Sequence, residues 1–159
     1  MDAVTKGPFA ATMVAAFCVA GMATATTMQP TAIAGRWVSD KEWVQDNHRI
    51  TLDISRCGTG CCGVEVKNGA SCGRTVLRLD KGSPHEVESF VEFAGRIEVA
   101  PGTQPYVVRA SIARRDTGLQ MHLSGHSGDK FEPWRRNYPY RQLMVRAGDA
   151  VCRADPKVS

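Results

Sequence analysis

Downstream of residue 35 most of the chain alternates between apolar and polar positions. Ile50, Leu52 and Ile54 are separated by Thr51, Asp53 and Ser55; Cys62, Val64 and Val66 by Gly63 and Glu65; Tyr106, Val108, Ala110 and Ile112 by Val107, Arg109 and Ser111. Leu119, Met121 and Leu123 repeat the pattern, as do Leu143 and Val145. A period of two predicts antiparallel strands with one buried and one wet face. On that parity Cys62, Val64 and Val66 point inward and Cys61 points out. Turn signals fall between the strands at 58–60, 80–84, 101–102, 116–118 and 125–129, and Asn68-Gly69 reads as a hairpin turn. One segment breaks the alternation. Ser83-Pro84-His85-Glu86 is a capping box with proline at the first helical position, and Val87, Phe90, Val91 and Ala94 follow at helical spacing, which predicts a short helix over 84–94. Phe93 lies off that stripe, and with Val91 and Ile97 it supports a rival strand. The expected fold class is mostly β: a small antiparallel, barrel-like sheet with one short helix laid against it.

The N-terminus follows different rules. From Gly7 to Ala25 no residue is charged, Ala, Val, Phe and Met dominate, and the run closes on Ala23-Thr24-Ala25, the small-x-small pattern of a signal-peptidase site. A second such site, Ala32-Ile33-Ala34, precedes Gly35. The expected organisation is a signal peptide over 1–25, one β-rich domain over 26–153 and a polar tail over 154–159, with no transmembrane anchor after cleavage and a periplasmic or secreted location. A length of this order builds one modest core.

The formal net charge of the whole chain is +4. Bases and acids interleave without a long block, which argues against a nucleic-acid partner, and Arg114-Arg115 and Arg135-Arg136 read as solvated turn and rim charges.

Gly35-Arg36-Trp37 opens the first strand, and Arg141 and Arg146 lie on the last. In this the chain resembles the calycin superfamily, whose lipocalin-like barrels open with Gly-x-Trp and stack a late basic residue over that Trp. With the strand 49–54, then Cys57-Gly58-x-x-x-Cys62-Gly63-Val64, the late Leu119-x-Met121-x-Leu123-x-Gly125 and the closing Val145-Arg146, the chain also resembles a family of short exported bacterial proteins of unknown function. It departs from that family in lacking a central Gly-Gly-x-Ile-Tyr-Asp-Pro segment and in carrying Cys61, Cys72 and Cys152. The resemblance implies a β-rich envelope protein and transfers no catalytic residue.

Of the six cysteines, Cys18 lies in the leader and five remain, so two bridges and one thiol are expected. Direct bonding of Cys61 to Cys62 would strain the peptide between them. Cys57 is therefore paired with Cys62 across Gly58-Thr59-Gly60 and Cys72 with Cys152, leaving Cys61 as a free thiol or as the link of a covalent dimer. The spacing is not that of a zinc knuckle, and an oxidising compartment removes thiolate ligands, so no metal and no cofactor is expected.

His48, His85, His122 and His126 form no acid–base constellation with the scattered acids, and Ser124 beside His126 lacks a nucleophile elbow. The richest recognition segment is 131–141, where Trp134, Tyr138 and Tyr140 alternate with Arg135, Arg136 and Arg141. The same aromatics can instead fold back and plug a barrel end. Three function classes follow. The first is a non-enzymatic envelope binding protein, taking a small apolar ligand among Trp37, Leu52, Val64, Val108 and Met121 inside the barrel or a surface partner at the aromatic loop. The second is an interaction or inhibitor module acting on another exported protein. The third is an enzyme on a β scaffold, which requires a cleft gathering Ser124, His126 or Asp129.

Overall fold

The structure, a computed structural model, describes residues 29–44, 49–80, 82–84, 90–127 and 140–155. Among them a 3-10 turn, Pro30–Ile33, precedes nine strands: β1 Gly35–Val44, β2 Thr51–Cys57, β3 Gly60–Lys67, β4 Ser71–Leu79, β5 Ser83–Pro84, β6 Phe90–Ile97, β7 Tyr106–Arg115, β8 Gly118–Ser127 and β9 Tyr140–Gly148. All pair antiparallel, in the order β4-β3-β2-β1-β9-β8-β7-β6-β5. A further pairing of β4 with β6, through Leu77↔Ile97, Arg78↔Arg96 and Leu79↔Gly95, closes eight of them into a ring, with β5 a two-residue rung on β6. Closure removes most of the sheet edge that would otherwise invite pairing with other chains.

The mostly-β, barrel-like expectation holds, and the helix does not. Ser83 and Pro84 pair with Glu92 and Val91, and Phe90–Ile97 runs as a strand against β7 over eight consecutive residues; 85–89 lie outside the described residues. Val91, Phe93 and Ile97 are all buried, so the period of two wins over the capping signal. The helical spacing of Val87, Phe90, Val91 and Ala94 is a local preference that β7 overrides with a full ladder of backbone bonds.

One hydrophobic cluster fills the ring. It holds Trp37, Leu52, Ile54, Leu77, Phe93, Ile97, Val108, Ala110, Ile112, Met121, Leu123 and Met144, none more than 2% exposed. Eight strands enclose an interior just wide enough for side chains of this size to fill. The 3-10 turn caps the basal end, where β1 begins and β9 ends: Ile33 joins the cluster, and the Trp37 indole N–H donates to the Ile33 carbonyl at 2.7 Å. A buried indole needs such an acceptor. Tyr106 and Tyr140 pack against the cluster at the opposite end, their rings 5.4 Å apart and tilted by 32°. Between Lys67 and Ser71 the Asn68-Gly69 turn forms as expected, both residues at positive φ.

Two strands reverse the predicted parity. On β3 the interior cluster takes Cys61, while Val64 and Val66 join a separate outer cluster with Cys152. Val64, expected inside the ring, is buried on its outside. On β9 the buried positions are Gln142 and Met144, and Leu143 and Val145 are half-buried on the other face. Both strands carry apolar residues on two faces, so alternation alone does not say which is inward.

Candidate functional site

The outward residues Asp53 of β2 and Val64 and Val66 of β3 are covered by the chain's own C-terminal segment. Beyond β9 it folds back, and its anchor is Asp53, an outward residue of β2 that is fully buried. The Arg36 guanidinium donates to both Asp53 oxygens, from Nε at 2.7 Å and Nη2 at 2.8 Å, and the backbone amides of Val151 and Cys152 donate to Oδ2 at 2.9 and 2.7 Å. Arg36 and Asp53 are direct partners across β1 and β2. The Arg36 guanidinium, then the Cys152 and Val151 amides, hold the Asp53 carboxyl down at about 2 against the opposing effect of desolvation. So placed, Cys152 bonds Cys72 on β4 across a sequence separation of 80. Ala154, expected in the polar tail, packs against the same outer cluster; 156–159 lie outside the described residues.

Between this strap, the 3-10 turn and the basal ends of β1, β2 and β9 lies a cleft of about 690 Å³. Three arginines line it, Arg56, Arg146 and Arg153, against one acid, Asp149. Arg146 Nη2 donates to Asp149 Oδ1 at 3.0 Å, and Asp149 is almost wholly exposed. Among the described residues neither Arg56 nor Arg153 has an ion pair or a side-chain hydrogen bond. Gly35 admits Arg146 to this place. A Cβ on residue 35 would stand 2.5 Å from Arg146 Nε and 2.8 Å from the Gly148 carbonyl oxygen, at a φ of +146° that favours glycine. Of the two late bases, Arg146 is the one opposite Trp37 in the β1–β9 register, whereas Arg141 is exposed near the other end.

The remaining sequence candidates scatter. Trp37, Leu52, Val108 and Met121 belong to the packed interior. Trp134, Arg135, Arg136 and Tyr138 lie outside the described residues. Tyr140 is half-buried against Tyr106, and burial, then that neighbouring phenol, pushes its hydroxyl pKa up. His122, Ser124 and His126 share the outer face of β8; Ser124 sits between Arg109 and Arg141, and desolvation, then Arg141, pushes the His122 pKa down. Asp129, His48 and His85 lie outside the described residues.

The sulfurs join as the sequence reading paired them, Cys57 with Cys62 and Cys72 with Cys152, leaving Cys61 reduced. Its expected outward orientation is reversed. The Cys61 thiol belongs to the interior cluster, and burial raises its pKa, which lowers its reactivity as a free thiol. Among the described residues no group of three or more His, Cys, Asp or Glu is placed to hold a metal ion, and no helix is long and apolar enough to cross a membrane. Two intramolecular disulfides are compatible with an extracytoplasmic location. Comparisons with family models, curated proteins and solved structures give no match to the chain.

The residues missed by sequence reasoning are Asp53, Arg36, Arg56 and Arg153. Asp53 read as one of the wet alternates of β2. The available signal was its partner, because the Gly-x-Trp strand places a base directly opposite that acid.

Proposed function

We propose that this protein is an exported, disulfide-stapled, non-enzymatic binding protein that recognises its partner on the outside of a filled ring, and that it does not carry an apolar ligand within. The observation behind this reading is the interior itself. Trp37, Leu52, Val108 and Met121, proposed as the walls of a ligand cavity, touch one another's neighbours in a single packed cluster, and Val64 is not among them. The apolar leader pattern and the two disulfides support export to the periplasm or beyond. The placement of Gly35, Trp37 and Arg146 at the basal end is in keeping with a calycin-like relationship.

Two measurements test the reading. Native mass spectrometry of protein isolated from the envelope fraction of its own host should show a chain beginning at Thr26, four cysteines oxidised, and a retained non-covalent adduct. A bare, full-length, reduced chain from the cytosol would end the proposal. Titration with the neutral fluorophore N-phenylnaphthylamine should give no saturable uptake, because the described interior side chains are close-packed and inaccessible. One-to-one uptake that quenches Trp37 would restore the interior carrier.

A further inference from the structure

We infer that the basal cleft is a binding site for a small organic anion, a carboxylate or phosphate monoester carrying a short apolar group. The inference rests on the reading of this protein as a binder and names where and what it binds.

Three guanidinium groups against one carboxylate give the cleft a surplus of positive charge. Arginine's planar fork matches the oxygens of carboxylate and phosphate, which makes it the usual choice for such groups. The single acid is already engaged by Arg146, so Arg56 and Arg153 face the cleft without a counter-charge among the described residues. Ser55 and Thr31 add hydroxyl donors, and the accessible methyl groups of Ala34 and Ala150 give the same walls an apolar component. A volume of about 690 Å³ falls within the range of ligand pockets, about 300–1,000 Å³, and exceeds what a bare oxyanion needs.

The three cations are also held in place by the fold. Arg56 precedes Cys57, whose bridge to Cys62 fixes the end of β2. Arg153 follows Cys152, tied to Cys72 and clamped through its amide by Asp53. Arg146 is seated over the bare backbone of Gly35. Each arginine therefore starts from an ordered backbone, which lowers the entropy lost when an anion is gripped. Asp149, exposed and bonded to Arg146, occupies one cation as an internal competitor that an incoming anion displaces.

The test uses the oxidised protein with both disulfides intact, titrated with phenyl phosphate, benzoate, inorganic phosphate and neutral benzyl alcohol while amide NMR shifts are followed. Phenyl phosphate or benzoate should give saturable shifts centred on Gly35, Ser55, Arg56, Ala150 and Ala154, and benzyl alcohol none. The tighter of the two aryl anions assigns the headgroup, and inorganic phosphate binding as tightly as phenyl phosphate would refute the apolar component. The double variant Arg56→Gln/Arg153→Gln should weaken binding at least about tenfold, the scale of one lost charge-assisted bond. Asp149→Asn should strengthen it a few-fold, a gain that damage to the fold would not produce. Lys67→Gln, at the far end of β3, should leave it unchanged. No saturable shift with either aryl anion, an unchanged affinity in the double arginine variant, or equal weakening by Lys67→Gln would overturn the assignment. Failure here with an adduct retained in the native mass measurement removes only this site; failure in both removes the binding reading as well.

Discussion

From β6 to β9 the ring is built of long, regular hairpins, with β6 and β7 paired over eight consecutive residues and β7 and β8 over ten. From β1 to β4 it is a different construction. The β3–β4 register shifts twice, both disulfides and the buried ion pair lie here, and the C-terminal segment covers the outward residues Asp53, Val64 and Val66. In the first region one face is dry and the other wet, so hydrophobic patterning specifies the register. In the second the middles of β2 and β3 are dry on both faces, and the fold depends on contacts between residues far apart in sequence, such as Asp53 with Cys152.

The sharpest way to break this contrast is to cut the strap. Replacing Cys72 and Cys152 together by serine should lower the unfolding free energy by about 4–5 kcal/mol, from loop entropy returned to the unfolded chain. Urea denaturation reads the loss. Amide exchange should accelerate over 62–66 and 72–76 while 106–125 keep their protection, and uniform acceleration would show that the two regions are one cooperative unit.

Asp53→Asn addresses the anchor without touching sulfur. It leaves the Arg36 guanidinium without its charged partner, at a cost of about 2–3 kcal/mol. Exchange at Val151 and Cys152 should rise with the drop in stability. If those two amides stay protected, the disulfide alone holds the strap.

The smallest expected effect is on pH dependence. The Asp53 pKa is lowered from its ordinary 3.8 to about 2, so the folded state binds the proton less readily than the unfolded one. Its contribution, about 2 kcal/mol, is complete above pH 3.8 and is lost as the pH falls through that value to 2. Subtracting the stability–pH curve of Asp53→Asn from that of the parent should isolate this step. Coincident curves between pH 4 and 2 would place the carboxylate in solvent.

This contrast also explains what the sequence discloses. Tyr106 to Ile112 and Leu119 to Leu123 were legible because Arg109, Ser111, Gln120 and His122 supply polar alternates that meet water. Cys62, Val64 and Val66 misled because the strap gives an outward apolar face something to bury against. The cysteine pairing came out correctly although the facing of Cys61 and Cys62 was inverted, since opposite facing, whichever way round, is enough to separate their fates. The helix over 84–94 failed for another reason: its signals are local, and the ladder with β7 is not. Of the basal cleft, only Gly35 and Arg146 were visible beforehand, as parts of a motif. Arg56 and Arg153 become neighbours of Arg146 only once the ring closes and the strap folds back.

The bridge between Cys72 and Cys152 also imposes an order in time. A chain made from its N-terminus presents Cys57, Cys61, Cys62 and Cys72 together, long before residue 152 exists. Short loops close more readily than long ones, so the early chain favours pairing among those four. Cys72 has to remain reduced until residue 152 arrives, or be released from a wrong partner by thiol exchange. Seating Cys61 inside the ring withdraws the one surplus competitor once β3 is in place. Of the two bridges the strap's is thus the later to close, and a chain truncated before Cys152 would retain an unpaired thiol on β4 as a chemical mark of incompleteness.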